Sequence, residues 1–174
     1  MDPPVFLGRE GYLDTVIGVY VETSFFSAGV TDRGDPQSIV WCDASRRWWH
    51  AHRRRFNLCI SEEVIAELSG PGFVHGAEAL QMPRGLRVAE LSPEVQGLAS
   101  LLVGEKVMPG PSTAGDATHV ADATIHAPDY LLGWNVKHLA NLNKQAHLVK
   151  MCPRLGLASP QIVTPDLLGE NADA

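Results

Sequence analysis

The sequence contains no run of eighteen apolar residues, the length that a membrane-spanning helix requires. Cysteine is scarce: Cys42, Cys59 and Cys152 are odd in number, far apart and without a C-x-x-C pair. That excludes a disulfide framework and a zinc knuckle and suits a reducing compartment. The first residues, Met1-Asp2-Pro3-Pro4-Val5, offer neither a basic segment nor a continuous apolar core, so no secretory signal is expected. Positive charge is also short. Fourteen Lys and Arg stand against twenty Asp and Glu, a formal net charge of −6, which excludes the globally basic field of a backbone-reading nucleic-acid binder. It leaves room for a nuclease, which needs a local carboxylate cluster and can carry its basic surface as a patch. What remains is an ordinary globular composition over 174 residues, 45% apolar and 20% charged. It predicts one domain over residues 1–168, a mobile tail at 169–174, and a soluble, cytoplasmic protein with no membrane contact.

The order of segments predicts the architecture. Thr15 to Val21 is a short β-branched and aromatic run, as expected of a strand buried on both faces, and it ends at Glu22-Thr23-Ser24. Residues 25–37 read as a loop, and Asp35-Pro36 or Ser38 opens a helix in which Trp41, Ser45, Trp48 or Trp49, and His52 recur at helical spacing. Asn57 to Ile60 reads as a second strand, Ser61 as the cap of a helix reaching about Leu68, and Gly70-Pro71-Gly72 as its stop. Residues 73–82 look helical, Leu86 to Leu91 like a strand, and Ser92-Pro93 opens the next helix. An irregular stretch from Lys106 to Gly115 precedes a helix from Asp116 to His126. Asp129 to Trp134 reads as a buried strand, Lys137 to Leu155 as mostly helical, and 161–164 as a last strand. Strands alternating with helices imply a three-layer α/β/α sandwich with a central, mainly parallel sheet. Chemistry in such sheets gathers at the carboxyl ends of the strands.

Four polar side chains fall at those ends. Glu22 follows the first buried strand and Asn135 the later one, while Glu67 borders the apolar stripe of its helix and Asp116 starts another. Each has a plain structural reading too: a solvated Glu22, a Glu67 whose stem lies along the surface, Asp116 as a first-turn acid, and Asn135 closing a turn. If Glu22, Glu67 and Asp116 converge, their mutual repulsion and desolvation call for a cation. Oxygen donors with retained waters select Mg²⁺ or Mn²⁺, which would activate a water and stabilise charge on a phosphodiester. Asp122 with His119 or His126 has metal-compatible spacing that also suits surface hydrogen bonds.

The segments Val19 to Ser24, Ile60 to Leu68, Asp116 to Ala123 and Asp129 to His138 resemble, in order, the motifs of the PIN-domain family over roughly residues 17–165. That family consists of metal-dependent ribonucleases and includes the toxins of toxin–antitoxin pairs. The nearest branch carries Glu-Thr-Ser, Asp-Ala-x-His and Trp-Asn-x-Lys-His. The resemblance implies a PIN-like fold, with Glu22 in place of the family's usual first Asp and Glu67 as the Glu of its Glu-Leu pair. Asp116 matches the Asp that opens the next helix, and Asn135 the Asn after the late strand. His138 falls where many members have a fourth acid, a departure from a two-metal pattern. The implied chemistry is RNA cleavage by a metal-activated water. In it Glu22, Glu67 and Asp116 hold the metal and Asn135 completes the catalytic set. Thr23 or Ser24 would orient a carboxylate, and His119 would donate to a phosphate. An antitoxin protein and a homodimer are the partners such a protein implies, although no apolar stripe marks a dimer interface.

Residues 46–55 hold five of the ten arginines beside Trp48 and Trp49. They could track RNA with stacking on a tryptophan, dock an acidic partner, or form a helix with tryptophans inward and arginines in water; the last fits the spacing best. Two functions of different class compete: a metal-dependent endoribonuclease, and a PIN-like RNA-binding or protein-interaction module without catalysis. A small-molecule phosphate hydrolase with the same metal site is a third.

Overall fold

The computed structural model describes residues 16–135, 139 and 141–172; Val136, Lys137 and His138, on which the expected helix start at Lys137 and the reading of His138 rested, lie outside them. Strand β1 (Gly18–Val21) is buried along its whole length, with Val19, Tyr20 and Val21 fully inaccessible, as its unbroken apolar run requires. It is the central strand of a five-stranded sheet. The others are β2 (Asn57–Ser61), β3 (Arg87–Ala89), β4 (Tyr130–Leu132) and β5 (Gln161–Val163). All neighbours are parallel, in the order β3-β2-β1-β4-β5, and Val19 lies opposite both Leu58 and Tyr130.

Helices fill every crossover. α1 (Thr23–Gly29) and α2 (Pro36–His52) join β1 to β2, and α3 (Glu62–Leu68) with the single turn α4 (Gly76–Ala79) joins β2 to β3. α5 (Pro93–Gly104) and α6 (Asp116–His126) lead back to β4, and α7 (Leu142–Met151) with a 3₁₀ turn (Cys152–Leu155) leads to β5. α8 (Pro165–Ala172) follows β5 and packs on α2. Right-handed crossovers put α1 to α4 on one face of the sheet and α5 to α7 on the other, the expected three-layer sandwich. The chain winds outward from β1 to β3 and then returns past β1 to β4. The carboxyl ends of β1 and β4 therefore diverge into helices on opposite faces and leave a crevice between them.

Local signals set most boundaries. The Asp35 carboxylate accepts the Ser38 N–H at 3.0 Å with Pro36 in the first turn of α2, and Ser92 accepts from Val95 at 3.3 Å with Pro93 in the first turn of α5. The expected loop at 25–37 is instead α1 followed by a shorter loop. Phe25 and Phe26 are wholly buried and meet Trp48 and Trp49 edge-on or tilted at 5.5–6.1 Å, and a helical turn is what lets two adjacent aromatics reach that cluster. Residues 73–82 keep only the turn of α4, because Pro71, Pro83 and Gly85, the last with φ of 84°, punctuate them. The strands at 86–91 and 129–134 shorten to three residues each. The segment expected as a tail from Gly169 begins inside α8, whose Leu168 is buried.

Trp48 is in the core while Arg46, Arg47, Arg54 and Arg55 are exposed, so α2 is built with a tryptophan inward and its arginines outward. Arg46 donates to the Gly29 carbonyl at 2.7 Å, and Arg53 lies over the Trp49 ring at 5.8 Å. The three cysteines are free and buried. No helix among the described residues is long and apolar enough to cross a membrane.

α2 is docked to the end of β4 by one buried polar contact. The Trp134 indole N–H donates to the Ser45 hydroxyl at 2.8 Å, and Ser45 is inaccessible to solvent. Ser45→Ala should leave that N–H without a partner and lower stability by about 1–3 kcal/mol in urea denaturation, while Ser45→Thr retains most of it.

Candidate active site

The crevice between β1 and β4 is lined by acids held by a hydrogen-bond network. Glu22, directly after β1, is only 2% exposed, and its carboxylate caps α1 by accepting the Ser24 N–H at 2.9 Å. Its other oxygen accepts the Ser24 hydroxyl. That same hydroxyl oxygen accepts the backbone N–H groups of Trp134 at 2.7 Å and Asn135 at 3.2 Å, so one serine ties the end of β1 to the end of β4. Asn135 then donates its side-chain amide to Asp116 Oδ1 at 2.8 Å.

Two glycines make this proximity feasible. A Cβ on Gly133 would lie 1.8 Å from Glu22 Oε1, so the backbone after β4 passes where no side chain fits. Gly115 stands at the N-cap of α6 with φ of 77°, and a Cβ there would lie 3.2 Å from Glu67 Oε1. Its N–H donates to Glu63 Oε1 at 2.6 Å. Gly115 thus brings the start of α6, with Asp116, beside the end of α3, with Glu67.

On the Glu67 side the network runs inward. Glu67 Oε2 accepts the Thr23 hydroxyl and, at 2.8 Å, faces His119 Nε2. The other ring nitrogen of His119 lies 2.7 Å from the Tyr20 hydroxyl, which is 2.8 Å from Ser61 Oγ. When His119 is protonated, both its N–H groups donate, to Glu67 and to Tyr20, and the Tyr20 O–H in turn donates a hydrogen bond to Ser61 Oγ. Ser61 occupies the N-cap position of α3 as expected, but its side chain serves this chain instead of capping the helix.

The charges respond to burial and to each other. Burial pushes the Glu22 carboxyl above its ordinary range against the pull of His119 and of the Ser24 hydrogen bonds. Burial works to lower His119, but the Glu67 hydrogen bond and the Glu22 and Glu67 charges outweigh it and raise the imidazole. Partial burial would raise Glu67, yet the hydrogen bond and charge of His119, with Thr23, hold it below its ordinary value.

The sequence expectations divide here. The structure gathers Glu22, Thr23, Ser24, Glu67, Asp116, His119 and Asn135 around one crevice. His138 lies outside the described residues. His119 is not placed to donate to a phosphate: it is 2% exposed, with both nitrogens engaged inside the protein. Asp122, one turn further along α6, is fully buried with no hydrogen-bond partner for either oxygen among the described residues, and lies 3.5 Å from His126 Nε2. Sequence reasoning passed over Glu63 and Tyr20. Glu63 is the second residue of an exposed-looking first turn, and only its 8% exposure reveals the bond to Gly115, 52 positions away.

A metal ion is usually held by several carboxylate, imidazole or thiolate groups at once. Among the described residues, no three His, Cys, Asp or Glu side chains lie close enough together to hold one. The expected cluster of three open carboxylates is not formed, because Glu22 is sealed by Ser24 and its charge faces His119. Glu67, with its side chain 35% exposed, and Asp116 are more open. That pair is compatible with Mg²⁺ or Mn²⁺, since such ions are commonly held by one or two carboxylates with water and substrate oxygens completing the shell.

A parallel five-stranded sheet in this order, with helices on both faces and polar groups at the β1 and β4 ends, is a PIN-like α/β/α fold. It is similar to VapBC2 of Rickettsia felis, solved bound to a DNA fragment from their promoter, with a TM-score of 0.53 at 13% identity over 85% of this chain and 98% of that one. It is similar as well to VapC20 of Mycobacterium tuberculosis, a sarcin-ricin loop cleaving toxin, with a TM-score of 0.50 at 18% identity over 68% of this chain and 90% of that one. At these identities the likeness is one of fold. No protein-family model matches the chain, and no curated protein matches it.

Two outcomes are expected of this network. Gly133→Ala should cost about 1–3 kcal/mol in denaturant unfolding, because the buried Glu22 has to move, and Glu22→Ala in the same chain should recover part of that loss through a favourable coupling. In the absence of divalent ions, stability should fall as pH rises through the elevated His119 value. A group raised on folding stabilises fully below its unfolded pKa and loses that contribution above its folded one. The Glu67 contribution has the opposite sense: present above the ordinary Glu value, it fades as pH falls through the lowered one. Thermal melts from pH 5 to 9 should show the alkaline decline, and His119→Gln should flatten it.

Proposed function

We propose that this protein is a PIN-type toxin ribonuclease that hydrolyses RNA phosphodiesters. The observation that carries the reading is the continuous connection from Glu22 through Ser24 and Asn135 to Asp116, with Glu67 held beside it by Gly115, at the mouth where the β1 and β4 ends diverge. The fold shared with VapC20, a toxin that cleaves the sarcin-ricin loop, supports the same class.

In this reading Asp116 and Glu67 hold a divalent ion, Mg²⁺ or Mn²⁺, which when bound would lower the pKa of a water and offset phosphate charge. The chain's own residues do the remaining work. Asn135 fixes the orientation of Asp116 through a hydrogen bond to Oδ1. Thr23 and His119 fix Glu67 through Oε2 and leave Oε1 beside Gly115. Glu22 holds the two strand ends together through Ser24 and supplies negative charge behind the site. An antitoxin protein belongs to this reading as a partner, as does RNA as substrate.

A second reading is favoured by a specific observation: every acid of the crevice already has a protein donor, and His119, its imidazole raised by Glu67 and Glu22, lies against Glu67 where its protonated form offsets acidic charge. In that case the protein is a PIN-like RNA-binding or protein-interaction module. Incubation of the purified chain with structured RNA and Mn²⁺ separates the two. The nuclease predicts cleavage that is abolished in Asp116→Asn with the fold intact, and reduced about 10–100-fold in Asn135→Ala, the typical cost of losing a group that orients a ligand. A rise in melting temperature with Mn²⁺ that depends on Asp116, without any cleavage, would instead establish the module.

A further inference from the structure

Beside the acid crevice lies a cavity of about 740 Å³, and Ser24, Trp134 and Asn135 line it. Its other walls come from the α1–α2 loop, the first turns of α2 and the segment after β5, including Arg33, Gln37, Trp41 and Asp166. The ring of Trp41 stacks on Trp134 with centroids 5.1 Å apart and planes 15° from parallel. Trp134 is 7% exposed and fixed by its bond to Ser45, whereas Trp41 is only half-buried, so the surface that Trp41 keeps open faces the cavity on a rigid support.

We infer that this cavity is a nucleobase pocket, which receives the base next to the RNA phosphodiester held at Asp116 and Glu67. The inference rests on the ribonuclease reading and names the part of the substrate that the site grips. Three features select a base over other occupants. The size is that of a small-molecule site, with room for a base and its ribose. The formal charges of the lining balance, Arg33 against Asp166, and Arg33 is further paired with Asp35 at 3.5 Å. A balanced wall offers little to a phosphate, while a neutral aromatic base is well served by an indole platform, and stacking on an aromatic side chain is sequence-tolerant. Gln37, exposed at the rim, carries both an amide donor and a carbonyl acceptor for a base edge. Asn135 belongs to both compartments: its amide reaches Asp116, and its residue lines the cavity. A strand whose backbone passes the crevice therefore has an adjacent base within reach of Trp41. The protein's acidic balance, −6 overall, fits a ligand recognised by its bases more than by its backbone.

The test is fluorescence anisotropy with the full chain in EDTA, so that no cleavage intervenes. The probes are a labelled single-stranded oligoribonucleotide and the same ribose-phosphate strand with abasic nucleotides. The intact strand should bind on the order of tenfold tighter than the abasic one, the size of one stacked base. Trp41→Ala should remove that difference and Trp41→Phe should keep most of it. Gln37→Ala, an exposed change that leaves the fold alone, should narrow the difference by about threefold, and it carries the test if Trp41→Ala does not fold. Equal binding of the two strands by the unaltered protein, no binding of either, or a difference that neither Trp41→Ala nor Gln37→Ala alters overturns the pocket. A cavity that serves a protein segment gives one of these results. Cleavage in Mn²⁺, measured separately, reports on the nuclease reading, so either can fail without the other.

Discussion

Glu22 is buried where burial of a carboxylate is costly, and much of the local structure exists to make that tolerable. Removed from water, its charge has to be met by donors fixed in advance. Two come from Ser24, through its backbone N–H and its hydroxyl, and a third influence is the nearby His119, which is itself raised in basicity by Glu67 and Glu22. The geometry admits no slack: the backbone of Gly133 lies against the carboxylate, so the ends of β1 and β4 are set relative to each other by this one side chain. Asn135 follows from that placement, and Asp116 from Asn135. Remove the burial of Glu22 and the relation between the two strand ends, on which the whole crevice rests, loses its constraint.

The elements that the sequence disclosed are those whose cause is local. The apolar run of β1, the Asp35-Pro36 and Ser92-Pro93 helix openings and the extent of α6 each depend on residues within one turn of each other. α1 was hidden because its stabilisation comes from Trp48 and Trp49, more than twenty positions away, while its own Thr, Ser and Gly content looks like a loop. The site divides in the same way. That Glu22 and Asn135 share a rim follows from the rule that parallel strands end on the same side, and Glu67 and Asp116 follow from helix positions. The partners of those acids do not follow. His119 looks like a surface group one turn after Asp116, and nothing near it in sequence marks Tyr20 or Glu67 as its neighbours, 99 and 52 positions away. Ser61 illustrates the same limit: a cap by position is claimed by a tertiary partner.

The His119 imidazole changes how the acid cluster is understood. Three converging carboxylates would demand an external cation, but a histidine bonded to one and close to another, its basicity raised by both, meets part of that demand from within when it is protonated. The interior cation and a divalent ion are therefore not equivalent. His119 lies beneath Glu67 on the Tyr20 side, inaccessible, and holds Oε2. Glu67, whose Oε1 lies beside Gly115, and Asp116 are the two more accessible acids of the crevice. A divalent ion placed there need not displace His119. It would instead add to a pocket whose inner half is already neutralised, which favours an ion that keeps several waters over one enclosed by protein ligands. Such an ion would keep positions for substrate oxygens. The inner histidine thus offsets acidic charge on the buried side of the crevice, and Glu67 and Asp116 are the acids that a metal-dependent chemistry would have to use on its open side.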